Sequence, residues 1–224
     1  MPARKSKHSR EALANRDRYA RPRVFQEVPT KRVIVVVCDD AKTSVGYFTC
    51  LKQLVRKRTA LHVERSPHDR ATAQEVVESA IEHRNRLLEE GVHDNDDHEC
   101  VWALVDLEWD SERRAAAHQA KSFGVGQGIH VALSDPCYEV WTLLHLDGTG
   151  EMFMNCAAAL ARVETEWQKA FAQAFGPKAH ADYGKIMPRI GEAIARAKKN
   201  YGANPRTPSW TEVFQALEAI LGAE

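Results

Sequence analysis

The segment VWALVDLEWD, Val101 to Asp110, has the pattern of a buried strand that runs directly into carboxylates. Its apolar residues, Val101 to Val105, are followed by acids at alternate positions, Asp106, Glu108 and Asp110. In open α/β sheets ligands sit beyond the carboxyl ends of the parallel strands, so acids placed there face a crevice and not the core. Two further runs stop in the same way. Arg32 to Cys38 (RVIVVVC) ends at Asp39-Asp40, and Gly128 to Leu133 ends at Ser134-Asp135-Pro136.

The intervals between these runs read as helices. Tyr47 to Lys57 places Phe48, Leu51, Leu54 and Val55 at helical spacing. Ala60 to Glu64 is a weaker second strand, and Asp69 to Glu90 is the clearest helix, with Ala73, Val76, Val77, Ala80, Ile81, Leu87 and Leu88 on one face. Ser66-Pro67 and Asp69 mark its start and Gly91 its end. Val92 to Glu99 is a polar loop that lacks the acidic spacing, central Gly and closing Glu of a calcium loop. A helix follows the central acids, from Ser111 as N-cap to about Phe123, with Gly124 and Gly126 breaking it. Cys137 to Leu146 forms the next. This alternation implies a parallel sheet with right-handed crossovers.

Beyond Asp147 the pattern becomes helical: Met152 to Phe175, Ile186 to Tyr201 with an interruption near Pro188, and Thr211 to Leu221. The expected organisation is a basic N-terminal arm (1–31), an α/β core (32–148) and a helical C-terminal extension packed on that core (149–224).

Composition narrows the class. With 224 residues, 44% of them hydrophobic, the chain can build a sizeable core. No apolar run approaches the roughly 20 residues of a membrane helix, and the charged N-terminus is unlike a signal peptide, so a cytoplasmic location is expected. Five scattered cysteines without a CxxC pair support neither a disulfide framework nor a zinc ribbon and read as small buried hydrophobes. The balance of 31 basic and 31 acidic residues conceals an arm with nine Lys/Arg against three Asp/Glu in residues 1–31. Such an arm suits nucleic acid, or is a solvated tail.

If strands one, three and four are neighbours, then Asp39 or Asp40, Asp106 with Glu108, and Asp135 or Glu139 approach one edge. Carboxylates so gathered repel and raise each other's pKa unless a cation joins them. All-oxygen coordination suits Mg²⁺ or Mn²⁺, which can polarise a phosphodiester and activate water. Lys42 adds a point charge for a phosphate. Structural roles compete for the same residues: Asp40, Thr43 or Ser44 as helix caps, Asp110 as turn or cap, Glu139 as an acid favoured by a helix N-terminus, His145 as a core histidine, and Tyr138 and Trp141 as packing.

Four stretches, VVCDDAKTSVGYF (36–48), ALVDLEWD (103–110), LSDPCYEVWTLLH (133–145) and NPRTPSWTEVFQAL (204–217), resemble the RloB-like proteins in family order. The third is similar to the family's S-N-P-C-F-E-L-W-L-L-L-H signature nearly residue for residue. The resemblance implies a toprim-like fold, a parallel sheet flanked by helices that holds Mg²⁺ or Mn²⁺ with an acid after the first strand and a D-x-D after a later one. It implies a metal-dependent nuclease acting on RNA, including tRNA, or on DNA, within bacterial defence against phage and beside an ABC-type ATPase partner. By residue, it implies metal ligation by Asp39, Asp106 and Glu108, with Asp40 and Glu139 as auxiliary ligands or proton-transfer groups and Lys42 on phosphate. The family's C-E-G-E-K-T-E here reads Cys38-Asp39-Asp40-Ala41-Lys42-Thr43-Ser44, and the second acid of D-x-D is Glu108. Each of these two swaps keeps a carboxylate but changes its reach, while Ala41 and Ser44 lose acids outright.

Two other readings compete. A catalytically degenerate subunit that binds nucleic acid or an ATPase partner would tolerate these changes. A receiver-like phosphoacceptor domain would use Asp39-Asp40, Asp106 and Ser134, but the long interval from Asp40 to Asp106 and the missing final strand with its Lys count against it.

Overall fold

The computed structural model describes residues 31–39, 43–66, 71–91, 100–146, 151–175, 182–203 and 209–222. The basic arm up to Thr30, Asp40, Lys42, the 92–99 loop, Gly148, Gly150, Gly176-Pro177 and Asn204-Pro205 lie outside these residues.

The three acid-terminated runs form strands side by side. β1 (Arg32–Cys38), β2 (Thr59–Arg65), β3 (Val101–Asp106), β4 (His130–Asp135) and β5 (Trp210–Thr211) make one sheet in the order β2-β1-β3-β4-β5. The first four are parallel, and β5 pairs antiparallel with β4. Among the described residues seven α-helices accompany them: α1 (Thr43–Val55), α2 (Ala73–Glu89), α3 (Ser111–Gly126), α4 (Glu139–Leu146), α5 (Cys156–Phe171), α6 (Ile190–Gly202) and α7 (Val213–Leu221). This is the toprim-like α/β architecture that the sequence led us to expect.

β1 lacks polar alternation because both its faces are covered. Ile34, Val36 and Cys38 join a core with Phe48, Leu51, Trp141 and Leu217 from α1, α4 and α7, whereas Val35 and Val37 join one with Val76, Val77, Ala117 and Ala120 from α2 and α3. Val163 of α5 and Ala193 of α6 belong to the first core as well.

Several boundaries differ from the sequence reading, each for a local reason. α2 starts at Ala73 and not at Asp69, because Thr72 caps it: the Thr72 side chain accepts from the Glu75 N–H at 3.3 Å, and the Thr72 N–H donates to Glu75 Oε2 at 2.7 Å. That reciprocal pair is a capping box. Asp110, not Ser111, caps α3, accepting from the N–H groups of Glu112 and Arg113 at 3.0 and 2.9 Å. α3 also runs through Gly124 to Gly126, because the absent side chain is needed for packing. A Cβ on Gly124 would stand 2.9 Å from Val131 Cγ2 and 3.0 Å from Val77 Cγ1.

Two expectations for the last third were too long. α5 covers Cys156–Phe171 in place of 152–175, with Asn155 as cap, and Ala172 in the left-handed region at φ 52° ends it. Pro188 falls in a 3-10 turn, Met187–Arg189, that precedes α6. Trp210 and Thr211 are sheet, and α7 begins only at Val213. No helix among the described residues is long and apolar enough to cross a membrane.

Candidate functional site

Register places the acids. Cys38 lies opposite Leu104 and Asp106 opposite Ser134, so β1 stops two residues short of the end of β3, while β3 and β4 end within one residue of each other. Asp39 follows β1 directly and reaches the next peptide of β3: the backbone N–H of Asp106 donates to Asp39 Oδ2 at 3.2 Å. Asp39 and Asp106, which follow strand one and end strand three, are therefore neighbours at the carboxyl edge where the ligand crevice of such a sheet lies.

Glu139 closes one side. It is the first residue of α4 and almost fully buried, at 3% exposure, and its Oε1 accepts from Thr43 Oγ1 at 3.3 Å. Thr43 is the first residue of α1, so this bond joins two helix N-termini, both of which favour negative charge.

Glu108 has a different disposition. Its backbone is left-handed, at φ 52°, and its half-exposed carboxylate is engaged by the Arg113 guanidinium. The turn around it is fixed from below: the Glu108 N–H donates to Pro136 O at 2.8 Å and Arg114 Nη1 to Glu108 O at 3.1 Å. Arg114 also grips Asp135 with two bonds of 2.7 and 2.8 Å. This bidentate pairing raises the Arg114 pKa further and makes Asp135 a structural partner of α3.

The sequence-selected residues thus divide. The Asp106 backbone meets the Asp39 carboxylate, Glu139 is hydrogen-bonded to Thr43, Glu108 is directed to Arg113, and Asp135 to Arg114. Asp40 and Lys42 fall outside the described residues. Two oxygen-donor carboxylates suit Mg²⁺ or Mn²⁺, because Mg²⁺ commonly takes one or two protein carboxylates and leaves its remaining positions to water and substrate phosphate. Asp39 and Asp106 would hold such an ion. A third carboxylate from Glu108 would require release of Arg113.

Sequence reasoning missed the two thiols of this region. Cys137, fully buried two residues beyond β4, and Cys156, half-buried at the start of α5, bring their sulfur atoms to Asp106, and one ligand atom from each of the three lies within 4.8 Å of the others. Hydrogen bonding to Cys156, then burial, then the charges of Asp106 and Glu139 push the Cys137 thiol well above its ordinary range. Nothing in the 18 intervening residues signals this meeting.

His145, suspected as a core histidine, is one. Its Nδ1 meets the Trp141 carbonyl at 3.0 Å and its Nε2 the Tyr47 hydroxyl at 3.1 Å. A carbonyl only accepts, so Nδ1 carries the proton and Nε2 accepts from Tyr47. Tyr138 and Trp141 are buried at 2% and 0% exposure and act in packing. Trp109 differs. It is 51% exposed in the turn directly after the Asp106 strand end.

The family model described as RloB-like protein matches residues 34–220. No curated protein and no solved structure matches the chain.

Proposed function

Because the chain belongs to the RloB-like protein family, we propose that it is a divalent-metal-dependent nuclease, hydrolysing phosphodiester bonds of RNA, tRNA included, or of DNA within bacterial phage defence. The observation that carries this reading is the convergence of Asp39 and Asp106 at the ends of adjacent parallel strands, tied by the 3.2 Å bond from the Asp106 N–H. The defence role and an ABC-type ATPase partner are proposed on the family resemblance alone.

In this reading Asp39 and Asp106 are the metal ligands. Bound Mg²⁺ or Mn²⁺ supplies charge neutralisation at the phosphoryl oxygens and lowers the pKa of an attacking water. Glu139, buried and hydrogen-bonded to Thr43, ties the starts of α1 and α4 together and offers a further carboxyl for proton transfer. Lys42 supplies a point charge for a substrate phosphate, and Trp109, exposed at the rim, a face for a nucleobase.

The engagement of Glu108 by Arg113 favours a second reading, a catalytically degenerate subunit that binds nucleic acid or its ATPase partner without cleaving. One experiment separates the two. The full chain is incubated with tRNA, single-stranded RNA and duplex DNA in Mg²⁺ or Mn²⁺, with EDTA and Asp106→Asn as controls. Cleavage abolished by both controls supports the nuclease. Nucleic-acid binding without cleavage, indifferent to both, supports the degenerate subunit.

A further inference from the structure

The side of the acidic locus nearest α5 has a different donor chemistry. Asp106 ends β3, Cys137 follows β4, and Cys156 opens α5, so the three groups come from three separate packed elements. Their ligand atoms all lie within 4.8 Å of one another. Two sulfur atoms on one tetrahedral Zn²⁺ stand about 3.8 Å apart, given Zn–S bonds of about 2.3 Å, so a contraction of at most about 1 Å is required.

The electrostatics ask for a cation. Cys137 is fully buried with the Cys156 sulfur and an Asp106 oxygen as its neighbours, a donor set whose anionic forms only a bound cation would satisfy. Cys156 is the first residue of a 16-residue helix, which fixes its sulfur beside the other two donors. Cys156 and Asp106 are half-buried, which leaves an approach from solvent, while Cys137 forms the closed floor. Thiolate donors discriminate against Mg²⁺ and favour Zn²⁺.

We infer that Asp106, Cys137 and Cys156 form a site for a thiophilic divalent cation of the Zn²⁺ class, with three protein ligands and an open fourth position. This goes beyond the proposed hydrolytic function and does not require it. The two sites share Asp106, so Zn²⁺ bound to the thiols withdraws that carboxylate from a hard metal ion.

The test uses the full, reduced, metal-free chain and no nucleic acid. Zn²⁺ is titrated against a chromophoric chelator, and Co²⁺ is substituted to read the near-ultraviolet thiolate-to-metal charge-transfer band. One Zn²⁺ per chain and a charge-transfer band are expected. Cys156→Ser, at a half-buried helix start that accommodates serine, should weaken Zn²⁺ by about tenfold or more and reduce the band. Cys137→Ser and Asp106→Asn should weaken it also, with circular dichroism showing each variant folded, while Cys50→Ser should match wild type. Absence of the band in wild type, or unchanged Zn²⁺ affinity in folded Cys156→Ser, would overturn the inference. Nuclease activity does not enter these readouts, so failure of the hydrolytic reading leaves them intact.

Discussion

The backbone N–H of Asp106 donates to the carboxylate of Asp39 at 3.2 Å, across 67 residues of sequence. A peptide group of one strand thereby fixes the side chain that follows its neighbour.

Asp106→Asn keeps the backbone bond to Asp39 and removes only the charge, so it should weaken Mn²⁺ binding by about tenfold or more, roughly 1.4 kcal/mol. Glu108→Gln should have little effect, since the carboxylate it alters is engaged by Arg113 at the surface. Calorimetry on both variants checks the contrast, and equal losses would place Glu108 in the ligand set.

Trp109→Ala should leave metal binding and folding unchanged, because the ring is half exposed. Loss of one base-stacking face costs about 1–3 kcal/mol, so single-stranded nucleic acid should bind more weakly by about tenfold. Fluorescence anisotropy with a labelled oligonucleotide measures this, and unaltered affinity would remove Trp109 from the substrate path.

Gly124→Ala tests the packing of α3 on the sheet. Helix propensity alone favours alanine, but the added methyl would meet Val131, Val77 and Ile129 at 2.9 to 3.2 Å. Overpacking of this kind costs about 1–3 kcal/mol, which exceeds the propensity gain of about 1. Thermal unfolding should show a lower Tm. A raised Tm would mean that propensity prevails.

His145 couples stability to pH. Burial lowers its pKa from 6.5 to about 4, against the raising effect of its bond to the Trp141 carbonyl and with the lowering help of Arg196 and Arg189. An unfolded chain binds a proton at this histidine below pH 6.5 that the folded chain refuses until about 4. Its effect on stability is therefore constant above 6.5 and becomes a loss of about 3 kcal/mol as the pH falls through that window. NMR should find the imidazole neutral at pH 5.5. Titration near 6.5 would contradict the buried, neutral assignment.

Legibility in the sequence followed the range of the interactions. β1 and β3 could be read because a continuous apolar run reports a strand covered on both faces, and Asp39 and Asp106 because each directly follows such a run. Local chemistry that was present but misassigned explains Thr72, whose capping box with Glu75 was overlooked in favour of Ser66-Pro67 and Asp69. Gly124 was read as a helix breaker because its purpose is tertiary. Glu108 has the spacing of a second metal ligand, but a left-handed backbone and Arg113 decide its direction, and neither is visible in a two-residue interval. β5 was illegible because Trp210 and Thr211 gain strand character only from β4, and Cys156 because its relation to Cys137 arises from the seating of α5.

That late strand has a consequence for the order of events during synthesis. Thr211 pairs with Ser134, and the buried carboxylate of Glu212 accepts from the Leu133 N–H at 2.9 Å. The outer margin of β4 therefore stays bare while about 75 further residues leave the ribosome, an interval set by the 77 and 79 positions that separate these partners. A bare strand margin is a template for pairing with another chain. The nascent protein thus carries this hazard until Trp210 and Thr211 emerge, and a chain stopped ahead of Trp210 would retain it.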